Sequence, residues 1–326
     1  MKIKILFLSI LILFIFLLVS LSSPKKYFFQ QGFKNMMSIG GARNILLLGK
    51  PGFGYNGGEN TDSLILLNIE GNSAFLIYIP RDLILKNNNE QYKINSLIAL
   101  SKEKELLREV EKVTGLSVNS YIEYDLYLAR KIIDSVGGID VRLSSPVVDA
   151  VSGFALYSGS HHLNGEMAEF VLRSRYARDG DFFRMKNQFE VIRALKQKVQ
   201  SLPREDVLKL IKVLNANNRH YQTNLNPLDL LGFLADMEKV DFGKTKKIIL
   251  GFETKLWVDG SYKISLGKGY SGRAYGLVPK EGISQYSEIQ NYINNEKYKS
   301  TTEKLKNTFE KTKSGIEKEF NFGKRN

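Results

Sequence analysis

The chain has 326 residues, 43% hydrophobic and 25% charged, a balance that supports a packed core and excludes a wholly disordered polymer. Its formal net charge of +13 draws polyanions, whether nucleic acid, anionic lipid or a phosphate-rich glycan. With no cysteine, disulfides, thiolate nucleophiles and cysteine zinc sites are all excluded.

Lys2 and Lys4 precede an unbroken apolar run, ILFLSILILFIFLLVSL, over residues 5–21. A helix of that length spans roughly 25 Å, the short end of a membrane crossing. Two cations before the run place the amino end in the cytoplasm. Residues 1–22 are therefore expected to form a cytoplasmic stub and signal-anchor helix, with a signal peptide cleaved near Ser20, Ser22 and Ser23 as the alternative, and 23–42 a juxtamembrane linker. Residues 43–290 become a domain outside the cytoplasm, held at the cell membrane by one span. That location removes nucleic acid as a partner.

The globular pattern begins with NILLLG (44–49), SLILLNIE (63–70) and SAFLIYIP (73–80), apolar runs without period-two alternation. Such runs suit strands buried on both faces. KEKELLREVEKV (102–113) then puts Leu106, Leu107, Val110 and Val113 on one helical face, with Gly115 as C-cap. LYLARKIIDSV (126–136) ends at Gly137 and Gly138 and leads into a strand, IDVRL (139–143). GEMAEFVLRSR (165–175) follows Asn164, an N-cap residue type. After Asp181 a longer helix carries Met185, Phe189, Ile192, Leu195, Val199 and Leu202 at helical spacing. Alternating strands and helices predict an α/β fold in which strands 44–49, 63–70, 73–79 and 139–143 share one sheet covered by helices. Residues 291–326 read as a charged tail, with Glu296, Glu303, Glu310 and Glu317 seven apart and a thin stripe of Leu305, Phe309, Ile316 and Phe320. The tail is expected to be dispensable for chemistry.

GFGYNG (52–57) matches G-x-G-x-x-G, but only residues 58–62 separate it from the next strand. A dinucleotide site needs a helix opening at those glycines, and there is no room for one. The segment reads as a flexible glycine loop between strands. His161, His162 and His220 have no spaced partners for a metal site or a triad and read as surface-turn residues.

The densest charge pattern is RSRYARDGDFFRMKNQ (173–188). Arg173, Arg175 and Arg178 gather before a helix opened by Asp181, and Arg184 and Gln188 share a face of its first turns. Guanidinium forks pair bidentately with phosphate oxygens, and a helix N-terminus adds positive potential. In IPRD (79–82), Arg81 and Asp82 stand just past an apolar strand, at the end where α/β sheets bind ligands. Asp62, beside the glycine loop, has the residue type to hold a divalent cation against phosphate.

In chain order, NILLLG, NTDSLILL, IYIPRD, KINSLIAL, EYDLYLARKIIDSVGGIDV, LNGEMAEFVLRSRYARDGDFFR and Gln188 resemble the LytR-CpsA-Psr family across about residues 43–200. The resemblance implies a three-layer α-β-α sandwich around a mixed β-sheet, with a long apolar pocket for a polyprenyl chain. It implies a phosphotransferase that moves a glycopolymer from a polyprenyl-pyrophosphate carrier onto peptidoglycan and releases polyprenyl phosphate. Its pyrophosphate-binding residues map onto Arg81, Arg173, Arg175, Arg184 and Gln188, and its metal-ligand aspartate onto Asp62. Asp62, Arg81 and Arg184 then carry the chemistry, with Mg²⁺ or another divalent cation as cofactor. Three places depart from the family pattern. Lys50-Pro51 stands where an aspartate is usual, Asn60 where arginine precedes the aspartate, and Asn187 beside the glutamine. Glu59, in the glycine loop, is the nearest substitute for the missing carboxylate. The competing functions are a non-catalytic scaffold that binds the lipid carrier, and a phosphatase in which water replaces the sugar acceptor.

Overall fold

Three consecutive strands, β1 (Arg43–Lys50), β2 (Ser63–Glu70) and β3 (Ser73–Ile79), form the centre of the molecule. The computed structural model describes residues 43–299, apart from 56, 72, 88–89, 150–151, 176–179, 227–228, 230–239, 241–244 and 268. The apolar run, the linker, Arg178 and the tail beyond 299 lie outside the described residues. No helix among the described residues is long and apolar enough to cross a membrane.

Residues Ser63 to Ile69 of β2 are all buried, as a run without alternation requires. β2 is antiparallel to both neighbours, so its amino end meets the carboxyl ends of β1 and β3 at one sheet edge. Beyond the ribbon of β4 (Ile84–Asn87) and β5 (Glu90–Lys93) and helix α1 (Glu103–Thr114), β6 (Ser120–Asp125) returns parallel to β1. β11 (Tyr221–Thr223) and β12 (Lys246–Ile249) flank the sheet, whose order is β11-β6-β1-β2-β3-β12. β12 runs parallel to β3, and β11 antiparallel to β6. The sheet is mixed, and four parallel strands deliver their carboxyl ends to the same edge as the start of β2.

Strand 139–143 departs from expectation. β7 (Ile139–Leu143) is not in the central sheet but pairs with β10 (Gly159–Leu163). Ile139, Val141 and Leu143 are buried while Asp140 and Arg142 are exposed, a one-sided pattern suited to a ribbon lying on helices. β8 (Val147–Asp149) with β9 (Phe154–Leu156), and β13 (Trp257–Gly267) with β14 (Tyr270–Pro279), are further two-stranded ribbons.

The helices divide between two cores. α1 gives Leu106, Val110 and Val113 to the sheet core, and helical residues 287–299 add Ile289 and Ile293. α2 (Leu126–Ser135) and α3 (Gly165–Arg173) pack with the β7–β10 ribbon around Ile133, Val141, Leu163 and Val171. α4 (Asp181–Ser201) bridges the two, giving Phe182, Met185 and Phe189 to the first core and Phe183, Val191 and Ala194 to the second. Its first turns are therefore apolar on several sides instead of along one stripe. α5 (Arg204–Ala216) leads on to β11. The boundary expected at 290 falls inside the last described helix, so the packed body extends at least to 299.

Candidate functional site

Chain geometry brings three segments to the common sheet edge. Asp62 stands immediately before β2, where its amide donates to the Gly49 carbonyl at 2.7 Å. Arg81 follows β3 after one proline, and Asp181 and Arg184 occupy the first turn of α4. An aspartate in that turn complements the positive end of the helix.

Arg184 is only 1% exposed, although it is a charged residue. Its Nη2 donates to the Asp62 carbonyl at 2.6 Å and pairs with Asp181 Oδ1 at 2.6 Å, while Nη1 lies 3.4 Å from Asp62 Oδ2. Arg81 shares both acids, through a close contact with Asp62 and an Nε–Oδ1 distance of 3.3 Å to Asp181. Arg175 completes the set, 3.6 Å from Asp181 and 4.0 Å from Asp62. Three guanidiniums thus converge on two carboxylates across gaps of 19 and 122 residues.

Burial brings the Arg184 guanidinium down to about 10, with Asp181 and Asp62 opposing the shift and Arg81 and Arg175 reinforcing it. It remains a cation at neutral pH. Burial also acts to lower Arg81, but Asp62, Asp181 and Asp82 outweigh it and raise its pKa. Arg184 Nε is buried with no hydrogen-bond acceptor among the described residues. A buried donor without a partner costs free energy that an arriving anion can recover.

Beside this cluster a cleft is lined by the polar side chains of Asp62, Arg173, Arg184 and Gln188 together with the apolar ones of Leu126, Leu172 and Ile192. Gln188 Oε1 accepts from Ser63 Oγ at 3.0 Å, which fixes the amide at the sheet edge. Arg173 is held apart from the aspartates, donating instead to Glu169 Oε1 at 3.1 Å. Asp62, Arg173, Arg184 and Gln188 therefore share one cleft, while Arg81 and Arg175 join it through the acids they share with Arg184. The lining thus offers apolar side chains suited to a hydrocarbon and cationic ones suited to phosphate.

Several neighbours escaped the sequence reading. Asp181 reads there as a helix opener, yet it is the second carboxylate of the cluster; its spacing of three from Arg184 was the available signal. Lys50 Nζ lies 2.7 Å from Glu123 and 2.9 Å from Glu59. Burial lowers the Lys50 pKa but both glutamates outweigh it and raise the net value. His220 is not a solitary surface residue, since its Nδ1 lies 2.6 Å from the buried Asp125 and its ring stacks on Tyr127.

A divalent cation meets a sparse donor set. Pro51 offers no side-chain oxygen, and Glu59, its side chain 70% exposed, is drawn to Lys50. Among the described residues no three acidic or histidine side chains group to hold a metal. Among the described residues lining the cleft Asp62 is the one carboxylate, which fits an ion that takes most of its ligands from phosphate and water.

The LytR_cpsA_psr family model matches residues 22–269. A polyisoprenyl-teichoic acid–peptidoglycan teichoic acid transferase TagU of Bacillus cereus is 33% identical over 187 residues, covering 56% of this chain and 60% of that protein. Biofilm regulatory protein A of Streptococcus mutans is 28% identical over 183 residues, 51% of this chain and 45% of that one. The chain thus spans about half the length of these relatives. Among solved structures, Bacillus subtilis TagV superposes with a TM-score of 0.57 at 20% identity, covering 78% of this chain and 96% of that one. TagT bound to LIIa-WTA gives 0.57 at 19%, over 78% and 89%. At such identities the likeness is one of fold.

Proposed function

The chain belongs to the LytR-CpsA-Psr family, and from that premise we propose that it transfers a glycopolymer from a polyprenyl-pyrophosphate carrier to peptidoglycan. The carrying observation is the cluster of Arg81, Arg175 and Arg184 on Asp62 and Asp181 beside an apolar-walled cleft. A TagU relative is named as a teichoic acid transferase acting on peptidoglycan, which supports the same class of substrate.

In this reading, substrate phosphate oxygens replace the carboxylates as acceptors for the three guanidiniums, and the orphaned Nε of Arg184 gains a partner. Gln188 and Arg173, which line the same cleft, add further contacts to the pyrophosphate, and the prenyl chain lies along Leu126, Leu172 and Ile192. A hydroxyl of the peptidoglycan sugar attacks the phosphorus that bears the glycan. The bond from that phosphorus to the bridging oxygen breaks, and polyprenyl phosphate leaves with the electron pair. Asp62, released from its guanidiniums, accepts the hydroxyl proton at Oδ2. The arginines neutralise charge on the non-bridging and leaving oxygens, the main requirement of phosphoryl transfer. A divalent ion such as Mg²⁺, held by Asp62 and the phosphates, would add charge neutralisation at the same oxygens.

Anchoring by residues 5–21, with the domain outside the cytoplasm, is part of the proposal, since carrier and acceptor both lie at the outer membrane face. Mass spectrometry of peptidoglycan from cells with and without the gene tests the activity: a phosphodiester-linked glycan should disappear on deletion. An unchanged peptidoglycan would sink it. The replacement of a metal-ligand carboxylate by Pro51 favours a second reading, a scaffold that binds the carrier without turnover. Carrier binding without transfer by the purified protein would support that reading.

A further inference from the structure

We propose that Tyr55 and Glu169 are positioning residues for Arg173, which makes the glycine-rich loop a working part of the pyrophosphate site. This rests on the phosphate-binding reading of the cleft and assigns a role to a segment that reading leaves unused.

The loop is a built structure. Gly52 N donates to Gly58 O at 3.0 Å, Gly58 N to Tyr55 O at 3.0 Å, and Tyr55 N to Gly52 O at 3.4 Å. A side chain at 58 would place its Cβ 2.0 Å from the Gly52 carbonyl oxygen, so glycine is required there. Gly52, at φ +89°, adopts backbone that other residues rarely take, and a Cβ there would press on Asp125 at 2.9 Å. These hydrogen bonds close the loop on itself, and from it Tyr55 reaches across to α3.

There the Tyr55 hydroxyl donates to Glu169 Oε1 at 2.5 Å. Arg173, one helical turn further on, donates Nη1 to the same oxygen at 3.1 Å. Its guanidinium carbon lies 4.7 Å over the Tyr55 ring, a cation–π distance. Arg130 reaches from α2 to the other carboxylate oxygen at 3.2 Å. Glu169 is 7% exposed, and these partners replace the water hydrogen bonds that its carboxylate loses on burial. Burial and the glutamate both raise the Tyr55 pKa, so the phenol stays a donor at neutral pH.

Without these contacts Arg173, whose side chain is 44% exposed, would sample many rotamers at the mouth of the cleft. The tyrosine covers one side of the guanidinium and Glu169 takes one nitrogen. Its remaining donors are pre-set for phosphate, and less freedom is lost when ligand binds.

The test is calorimetric binding of geranylgeranyl pyrophosphate to the full-length protein in detergent, run as a double-mutant cycle. Tyr55→Ala should weaken binding about tenfold, and Tyr55→Phe, which keeps the ring, about two- to threefold. The double variant Tyr55→Ala/Arg173→Ala should bind no more weakly than Arg173→Ala alone, since Tyr55 acts only through that arginine. A merely structural tyrosine would weaken the double variant further. Losses that multiply, or a Tyr55→Ala protein binding like wild type, overturn the proposal. If Tyr55→Ala fails to fold, Tyr55→Phe with and without Arg173→Ala gives the same cycle. Failure of the wild type itself to bind the probe would overturn the phosphate-site reading, and this proposal with it.

Discussion

Arg184 and Arg175 touch the same two aspartates, yet they differ in what their removal should do. Arg184 has a side chain 2% exposed, whereas that of Arg175 is 43% exposed. Arg184→Met keeps the volume but leaves Asp62 and Asp181 without their inner cation, so stability should fall by about 2–3 kcal/mol in urea denaturation. Arg175→Ala should change stability by less than about 0.5 kcal/mol. It should still weaken binding of a polyprenyl-pyrophosphate analogue by about 1.5–3 kcal/mol, the scale of a charged hydrogen bond. Equal destabilisation by both variants would mean that burial does not separate their roles. A magnesium titration with chelator bears on Asp62: Asp62→Ala should abolish transfer, and a single protein carboxylate should leave metal affinity weak. Full transfer in chelator would show that the arginines act alone. Arginine spacing in residues 173–188 was legible because guanidiniums so close in sequence cannot pair with one another. Asp181 was not legible as a site residue, because a helix-opening aspartate looks the same whether or not a guanidinium reaches it.

At the scale of elements, the site depends on where α3 sits, because its last residue is Arg173. Asn164 caps it by accepting from the Met167 amide at 2.9 Å, and Gly165 lets its first turn approach α2 closely. A Cβ at 165 would lie 2.5 Å from the Arg130 carbonyl oxygen. Gly165→Ala should therefore push α3 from α2 and cost about 1–3 kcal/mol as an overpacking defect, read from thermal or urea unfolding. A neutral result would mean that the helices slide apart freely. Asn164→Ala should cost about 1 kcal/mol, the ordinary value of a lost N-cap. The cap and the three apolar strands could be read from sequence, since each signal is local. The pairing of β7 with β10 could not, because a short strand carries no mark of its partner. Its alternation, with Asp140 and Arg142 outward, was the available sign that it lies on helices instead of within the sheet.

For the whole molecule, the decisive question is where the packed body ends. Sequence pattern placed the charged tail from 291, since Glu296 and the lysines around it look solvated. Helical residues 287–299 instead lie against the sheet core, with Ile289 at 1% and Ile293 at 0% exposure. Lys297, whose side chain is 1% exposed, pairs closely with Glu70 at the end of β2 and lies over the Phe75 ring. A lysine can sit there because its apolar stem packs while its charge meets the glutamate. No periodicity argument reveals that, since the partner is 227 residues away. Two truncations separate the readings. A chain ending after 299 should unfold at the same urea concentration as the full protein. A chain ending at 285 exposes the faces that Ile289 and Ile293 cover and leaves Glu70 without its buried cation. At about 1.5–3 kcal/mol for each buried isoleucine, the loss should be about 3–6 kcal/mol, a large share of a typical domain's stability. Binding of geranylgeranyl pyrophosphate should survive the first cut, because the arginine cluster stands at the opposite end of β2. If the chain ending at 285 kept full stability, the helix would be a passenger. If the chain ending after 299 folded but lost binding, the segment beyond 299 would belong to the site.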